Sequence, residues 1–225
     1  MVGDSGFDWW APGDSGPRGG GAAFSYPYEE GRANALARED SALLESYYSR
    51  RGLAFRGLSQ VIEFGVELTR GSDWLAQGPA LTITDIIATD TYVAYERLKA
   101  KAASNTKFCI LQNRRDIDAL PLCDLLYAII SLRHTRAVVL AQVLDLLLAK
   151  VNQGGLTLLR VPTQHKHYQF MLPGGQELGE LDVIPQWKLF EMLNSNGFSL
   201  LLVQEEPLLR AADILYHTFL AQRQG

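Results

Sequence analysis

The chain has 225 residues, 47% of them hydrophobic, which fits one large domain, or one domain with a tail, and a core of useful size. Its 21 Lys and Arg against 25 Asp and Glu give a formal net charge of −4, which offers no electrostatic case for binding nucleic acid or an anionic membrane. Cys109 and Cys123 suggest neither a disulfide framework nor a metal site and read as reduced, mostly buried thiols of a cytoplasmic protein; no stretch approaches the ~20 apolar residues of a membrane span, and the N-terminus lacks the order of a signal peptide.

Residues 1–32 are rich in Gly, Pro, Ser and Asp, with Phe7, Trp9, Trp10, Phe24, Tyr26 and Tyr28 scattered through them. They read as a flexible arm, and the aromatics leave open a second reading in which the arm folds over a site or a partner. Residues 33–225 are expected to form the domain. From Ala33 the pattern is helical, with Leu36, Leu43, Leu44, Tyr47 and Tyr48 near helical spacing through Ser49. Residues 60–65 form a short strand that ends at Gly65, 73–77 a short helix, and 80–85 a strand that ends on Asp85. Residues 90–103 are a helix, with Asp90 or Thr91 as its cap. Residues 106–112 are a third strand. Residues 124–131 are a fourth, apolar nearly throughout, as suits a central parallel strand covered on both faces.

Residues 136–151 give the clearest helix, with Val139, Leu140, Val143, Leu144, Leu147 and Leu148 as its apolar stripe. Gly154-Gly155 ends the connection that follows, and 156–161 is a fifth strand. Residues 185–196 form a helix stopped by Asn196-Gly197, and 198–203 and 214–221 are two last strands. The regular alternation predicts a parallel sheet with right-handed crossovers and helices on both faces. The final strand–strand pair predicts an antiparallel strand at or near one edge.

In such sheets ligands bind outside the carboxyl ends of the strands. Asp85 ends its strand about twenty residues beyond the first loop, where an acid can grip ribose hydroxyls; helix capping is the other reading. His134, just past the fourth strand, has Arg133 and Arg136 beside it to favour its neutral form, so it is a tentative general base, or else a cap for the next helix. His165 and His167, with Gly174-Gly175, read as part of a flexible substrate-side insert. Two histidines fall short of a metal-ligand set, so no metal is expected. His217 reads as structural. Nucleophile-elbow, phosphate-loop and nicotinamide-binding glycine patterns are absent from the sequence.

Over roughly Ser59 to Gln222 the chain resembles the class I S-adenosylmethionine-dependent methyltransferases, and most closely bacterial domains of unassigned substrate. The resemblance is carried by Asp124-Leu-Leu-Tyr-Ala128, Leu132-Arg-His134, Gly154-Gly155, Val161-Pro-Thr163 and Ile184-Pro-Gln186, with the first strand, its loop and the strand ending in Asp85. It implies a Rossmann-like, seven-stranded, mostly parallel sheet of order 3-2-1-4-5-7-6. It implies S-adenosylmethionine as cofactor, methyl transfer to a small-molecule or saccharide-type acceptor, and ribose binding by Asp85. It implies contact with the adenine amine by Asp116 or Asp118, between which the sequence does not choose; both also read as ordinary loop acids. The family's first motif is an acid followed by Gly-x-Gly-x-Gly. Here Glu63 and Gly65 match, while Glu67 and Thr69 stand in place of the second and third glycines. The added Cβ atoms leave two readings open: a loop in which Glu67 meets a positive group of the cofactor, or a loop that has lost the cofactor. The alternative to methyl transfer is therefore a catalytically inactive methyltransferase-like binding or regulatory protein. A different enzyme reusing the fold is a third class.

Overall fold

A computed structural model of the chain describes residues 30–65, 74–75, 79–86, 95–96, 105–130, 137–165, 183–206 and 214–225. Of the arm expected over 1–32, residues 1–29 lie outside them, while 30–32 already belong to a helix; most of the helix expected over 90–103 and the histidine-bearing stretch beyond His165 also lie outside. The strands are β1 (Gln60–Phe64), β2 (Ala80–Asp85), β3 (Thr106–Ile110), β4 (Cys123–Ile129), β5 (Val151–His165), β6 (Phe198–Glu205) and β7 (Ile214–Arg223). Among the described residues the helical elements with both ends described are α1 (Glu30–Ser49), a 3-10 turn (Phe55–Gly57), α2 (Arg114–Asp118), α3 (Ala137–Leu148) and α4 (Gln186–Ser195), and residues 74–75 and 95–96 are also helical. All seven strands form one sheet of order β3-β2-β1-β4-β5-β7-β6. The β1–β2, β1–β4, β2–β3 and β4–β5 pairs are parallel, while β7 runs antiparallel to both β5 and β6. The expected α/β architecture and strand order both stand.

Strand alternation divides the core into two layers. Ile62 and Phe64 of β1, Leu126 and Ala128 of β4, and Leu159 and Val161 of β5 pack with α3 and α4. Val61, Leu81, Ile83, Leu125, Tyr127 and Leu158 pack with Leu36, Leu44 and Tyr48 of α1. The apolar stripe of α3 faces the first layer, with Leu140, Val143, Leu144, Leu147 and Leu148 buried. Because β4 is covered on both faces, it reads as an apolar run from Leu125 to Ile129.

Two departures from the expected elements have local causes. The first is that β5 begins at Val151, so Gly154-Gly155 lies within the strand. The register against β4 shifts between Cys123 and Leu125, and Gly154 takes φ +79°. A Cβ on Gly155 would stand 3.0 Å from the Asp124 carbonyl oxygen, so the glycine pair marks a bulge pressed against β4. The second is α2, which the apolar periodicity does not show because it is a single turn with only Ile117 buried.

Asp124, the acid that opens the fourth-strand motif, works at the amino end of the sheet. Its Oδ2 accepts from the backbone N–H of Ser59 at 2.7 Å and of Gln60 at 3.2 Å, and its Oδ1 accepts from Asn152 Nδ2 at 2.9 Å. One carboxylate thus holds the starts of β1, β4 and β5 together. The thiols of Cys109, on β3, and Cys123, on β4, are both free; burial first and the Asp124 charge second push Cys123 up to about 12. Among the described residues no helix is long and apolar enough to cross a membrane.

Candidate functional site at the carboxyl ends of the central strands

Glu63, Gly65 and Asp85 come together at the carboxyl ends of β1 and β2. Glu63 is fully buried and lies beside Ile83 of β2 and Tyr127 of β4 in the two registers. Gly65 follows the last residue of β1 at φ +86°, and its N–H donates to the Thr84 carbonyl at 3.3 Å. A Cβ at position 65 would stand 2.0 Å from the Ile129 carbonyl oxygen of β4. Only glycine satisfies both the backbone angle and that approach, so β1 can turn away here without splitting from β4. Asp85, also buried, is the last residue of β2. Its carbonyl accepts from Leu111 N–H at 2.8 Å, which extends the row to the end of β3.

The two acids after β3 are placed differently from each other. Asp116 Oδ2 accepts from the backbone N–H of Gln112 at 2.7 Å and of Asn113 at 3.0 Å, while Asn113 Oδ1 accepts from Arg115 N–H at 2.9 Å. This reciprocal capping box closes the first turn of α2. Asp118 lies on the exposed side of the same turn, 3.7 Å from Arg114 Nε. Glu67 and His134 lie outside the described residues.

One group at this end of the sheet has no counterpart among the expected site residues. Arg160 of β5, Asp40 of α1 and Glu206 just past β6 are 2%, 0% and 1% exposed. Arg160 donates through Nε to Asp40 Oδ1 at 3.2 Å, pairs with the same oxygen through a terminal nitrogen, and pairs with Glu206 through the other. The Tyr127 hydroxyl donates to Asp40 Oδ2 at 2.7 Å, and Thr218 Oγ1 of β7 donates to Glu206 Oε2 at 3.2 Å. Burial, and after it the Asp40 carboxylate, hold the Tyr127 phenol well above its usual range, so it stays a hydrogen-bond donor. The available signal was a lone arginine inside the apolar run Leu158-Leu159-Arg160-Val161. A charge in a covered strand calls for an opposite charge elsewhere in the chain.

The two sets meet through the backbone. Ile129 is the partner of Arg160 in the β4–β5 register, the Arg160 carbonyl accepts from Ile130 N–H at 2.9 Å, and the Ile129 carbonyl is the atom that walls Gly65. On the other side of the sheet, Thr163 Oγ1 and His217 Nδ1 lie 2.6 Å apart, and burial lowers the affinity of His217 for a proton, with Glu205 acting in the opposite direction. Among the described residues no group of His, Cys, Asp and Glu could hold a metal ion.

No protein-family model matches the sequence, and no curated protein matches it. Solved structures do match the fold. The N-methyltransferase NodS from Bradyrhizobium japonicum WM9 superposes with a TM-score of 0.60 at 13% identity, over 88% of this chain and 99% of that one. The magnesium protoporphyrin IX methyltransferase ChlM from Synechocystis PCC 6803, with bound SAM, gives 0.56 at 15% identity, over 86% and 83%. The [4+2]-cyclase SpnF gives 0.57 at 15% identity, over 85% and 82%. At such identities it is the fold that is shared, and with its sheet order and crossovers this chain has the class I methyltransferase fold.

Proposed function

We propose that the domain binds S-adenosylmethionine at the carboxyl ends of β1 and β2 and transfers its methyl group to a small-molecule or saccharide-type acceptor. The observation that carries this reading is that the Gly65 turn and Asp85 lie side by side at the ends of neighbouring parallel strands, with the Gly65 N–H on the Thr84 carbonyl, in this fold, of which ChlM has been solved with SAM bound. The residues fit such a group. A turn that admits no Cβ keeps the chain tight against β4, and an acid at the next strand end suits a ribose diol. Asp85 would accept from the ribose hydroxyls, and Glu63 would support the turn from beneath. Glu67 would face a positive group of the cofactor, and Asp116 or Asp118 the adenine amine. His134 would take the proton of the acceptor. The sulfonium supplies the methyl group when the cofactor is bound; the protein's share is to line up the acceptor and exclude water. The acidic balance favours an acceptor other than nucleic acid.

Calorimetric titration of the full chain with S-adenosylmethionine and S-adenosylhomocysteine tests this. Both should bind, and Asp85→Asn should weaken binding by the worth of a hydrogen bond to a charged group, roughly 1.5–3 kcal/mol. Wild-type protein that binds neither compound would favour the inactive binding or regulatory reading, in which Glu67 and Thr69 mark a loop that has lost its ligand.

A further inference from the structure

Helix α1 enters the domain before any strand, and the segment after β6 belongs to its last hairpin, yet both are fastened to one side chain. Arg160 reaches Asp40 of α1 on one side and Glu206 on the other, and Tyr127 of β4 holds the second oxygen of Asp40. A buried charge cluster is a poor way to gain stability, because apolar residues of similar volume commonly do as well or better. What it provides is a fixed geometry: a planar fork with two carboxylates admits few arrangements, whereas apolar contacts admit many.

The position of this fork matters. Arg160 and Ile129 are register partners, the Arg160 carbonyl fixes Ile130, and the Ile129 carbonyl is the wall behind Gly65. Tyr127 shares its register position with Glu63. The fork therefore sets α1 and the end of β6 against the same stretch of β4 that backs the candidate cofactor turn.

We propose that Arg160 is a positioning residue: with Asp40, Tyr127 and Glu206 it holds α1 at one height over the carboxyl ends of β4 and β5, and so fixes the β4 wall against which the Gly65 turn receives the cofactor. This rests on the cofactor reading above. Arg160 acts through Asp40, Ile129 and Ile130 and is given no contact with the cofactor itself.

The test uses two full-length variants. Arg160→Lys keeps the charge but loses the fork. The second variant replaces the cluster with apolar residues (Asp40→Leu, Tyr127→Phe, Arg160→Met, Glu206→Leu and Thr218→Val) and is expected to remain folded. Each is titrated with S-adenosylhomocysteine well below its melting temperature, and amide exchange of α1 is followed in the same samples. A purely structural cluster would lower the melting temperature of a variant and leave the affinity of its folded molecules unchanged. A positioning role predicts about tenfold weaker binding in both variants, with faster exchange in α1, even where the melting temperature is retained. Wild-type affinity in either folded variant overturns the proposal and leaves the cofactor reading intact. Absence of binding by the wild type overturns both.

Discussion

The two faces of the sheet are built on opposite principles. The face under α3 and α4 carries no buried charge among the described residues: Ile62, Phe64, Leu126, Ala128, Leu159 and Val161 meet the stripe of α3, and its buried polar side chains include the hydroxyls of Thr82, Thr84 and Thr157. The face under α1 has an apolar floor of Val61, Leu81, Ile83, Leu125 and Leu158. Toward the carboxyl ends of its strands it turns to Glu63, Asp85, Tyr127 and Arg160, all buried, with Asp40 descending from the helix. The amino half of that face is held together by packing and the carboxyl half by ionic and hydrogen-bonded geometry. Burying charge costs free energy that a second apolar layer would not, so the polar half marks where the molecule has a use for specific groups.

The largest effects should come from breaking each face at its centre. Arg160→Ala leaves Asp40 and Glu206 buried without their shared cation and should cost about 3–5 kcal/mol of unfolding free energy. On the other face, Leu144→Ala should cost about 2–5 kcal/mol through lost transfer energy and the cavity that remains. The two losses should differ in whether they can be repaired. Replacing the whole Arg160 cluster with apolar residues should restore most of the stability lost in Arg160→Ala, whereas changes elsewhere in the α3 stripe should not recover Leu144→Ala. Chemical denaturation of the wild type and these variants measures this directly. Failure of the apolar cluster to recover stability would mean that the polar face is held by more than the pairs described.

The difference between the faces also decides what the sequence reveals. The α3 stripe, the apolar run Leu125 to Ile129 of β4 and the strand ends at Gly65 and Asp85 are all local patterns, and each falls within a few residues of its observed place. The sheet order came from a resemblance carried by Asp124, Gly154-Gly155 and Val161-Pro-Thr163, and two of these turn out to be architectural. Asp124 ties three strand starts together, and the glycine pair makes a bulge. The cluster around Arg160 joins residues 120 apart in sequence, and no periodicity reports a pairing at that distance. Asp116 was legible as an acid after the third strand. That its Oδ2 closes the α2 capping box depends on where the strand ends, which hydrophobic pattern does not fix to the residue.

A smaller effect separates capping from ligand contact. Asp116→Ala removes the reciprocal half of the capping box on a single-turn helix and should cost about 1 kcal/mol. If capping is the main work of this side chain, S-adenosylhomocysteine affinity should fall by no more than the loosening of that turn requires. Calorimetric titration beside a denaturation curve makes the comparison, and an affinity loss that exceeds the stability loss would return Asp116 to the adenine side of the pocket.

The smallest expected effect belongs to His217, on β7 near the far end of the β5–β7 ladder. Burial lowers its affinity for a proton, and Glu205 only partly opposes this, so its value in the folded protein lies below the ordinary 6.5. The neutral ring suits its 2.6 Å contact with the Thr163 hydroxyl, in which one partner donates and the other accepts. As pH falls through about 6.5, the unfolded chain takes up a proton that the folded chain still refuses, so the equilibrium moves toward unfolding. The contribution of His217 is therefore complete above its unfolded value, declines as pH drops from there toward the folded value, and levels off once both states are protonated. Because the ring is partly exposed, solvent screening keeps the slope shallow. His217→Gln keeps a polar partner for Thr163 and cannot titrate, so the difference in unfolding free energy between it and the wild type should shift against the wild type on going from about pH 8 to about pH 5. Paired denaturation curves across that range supply the measurement. A difference that stays constant with pH would mean that the histidine holds its proton equally well folded and unfolded, and that its contact with Thr163 survives protonation.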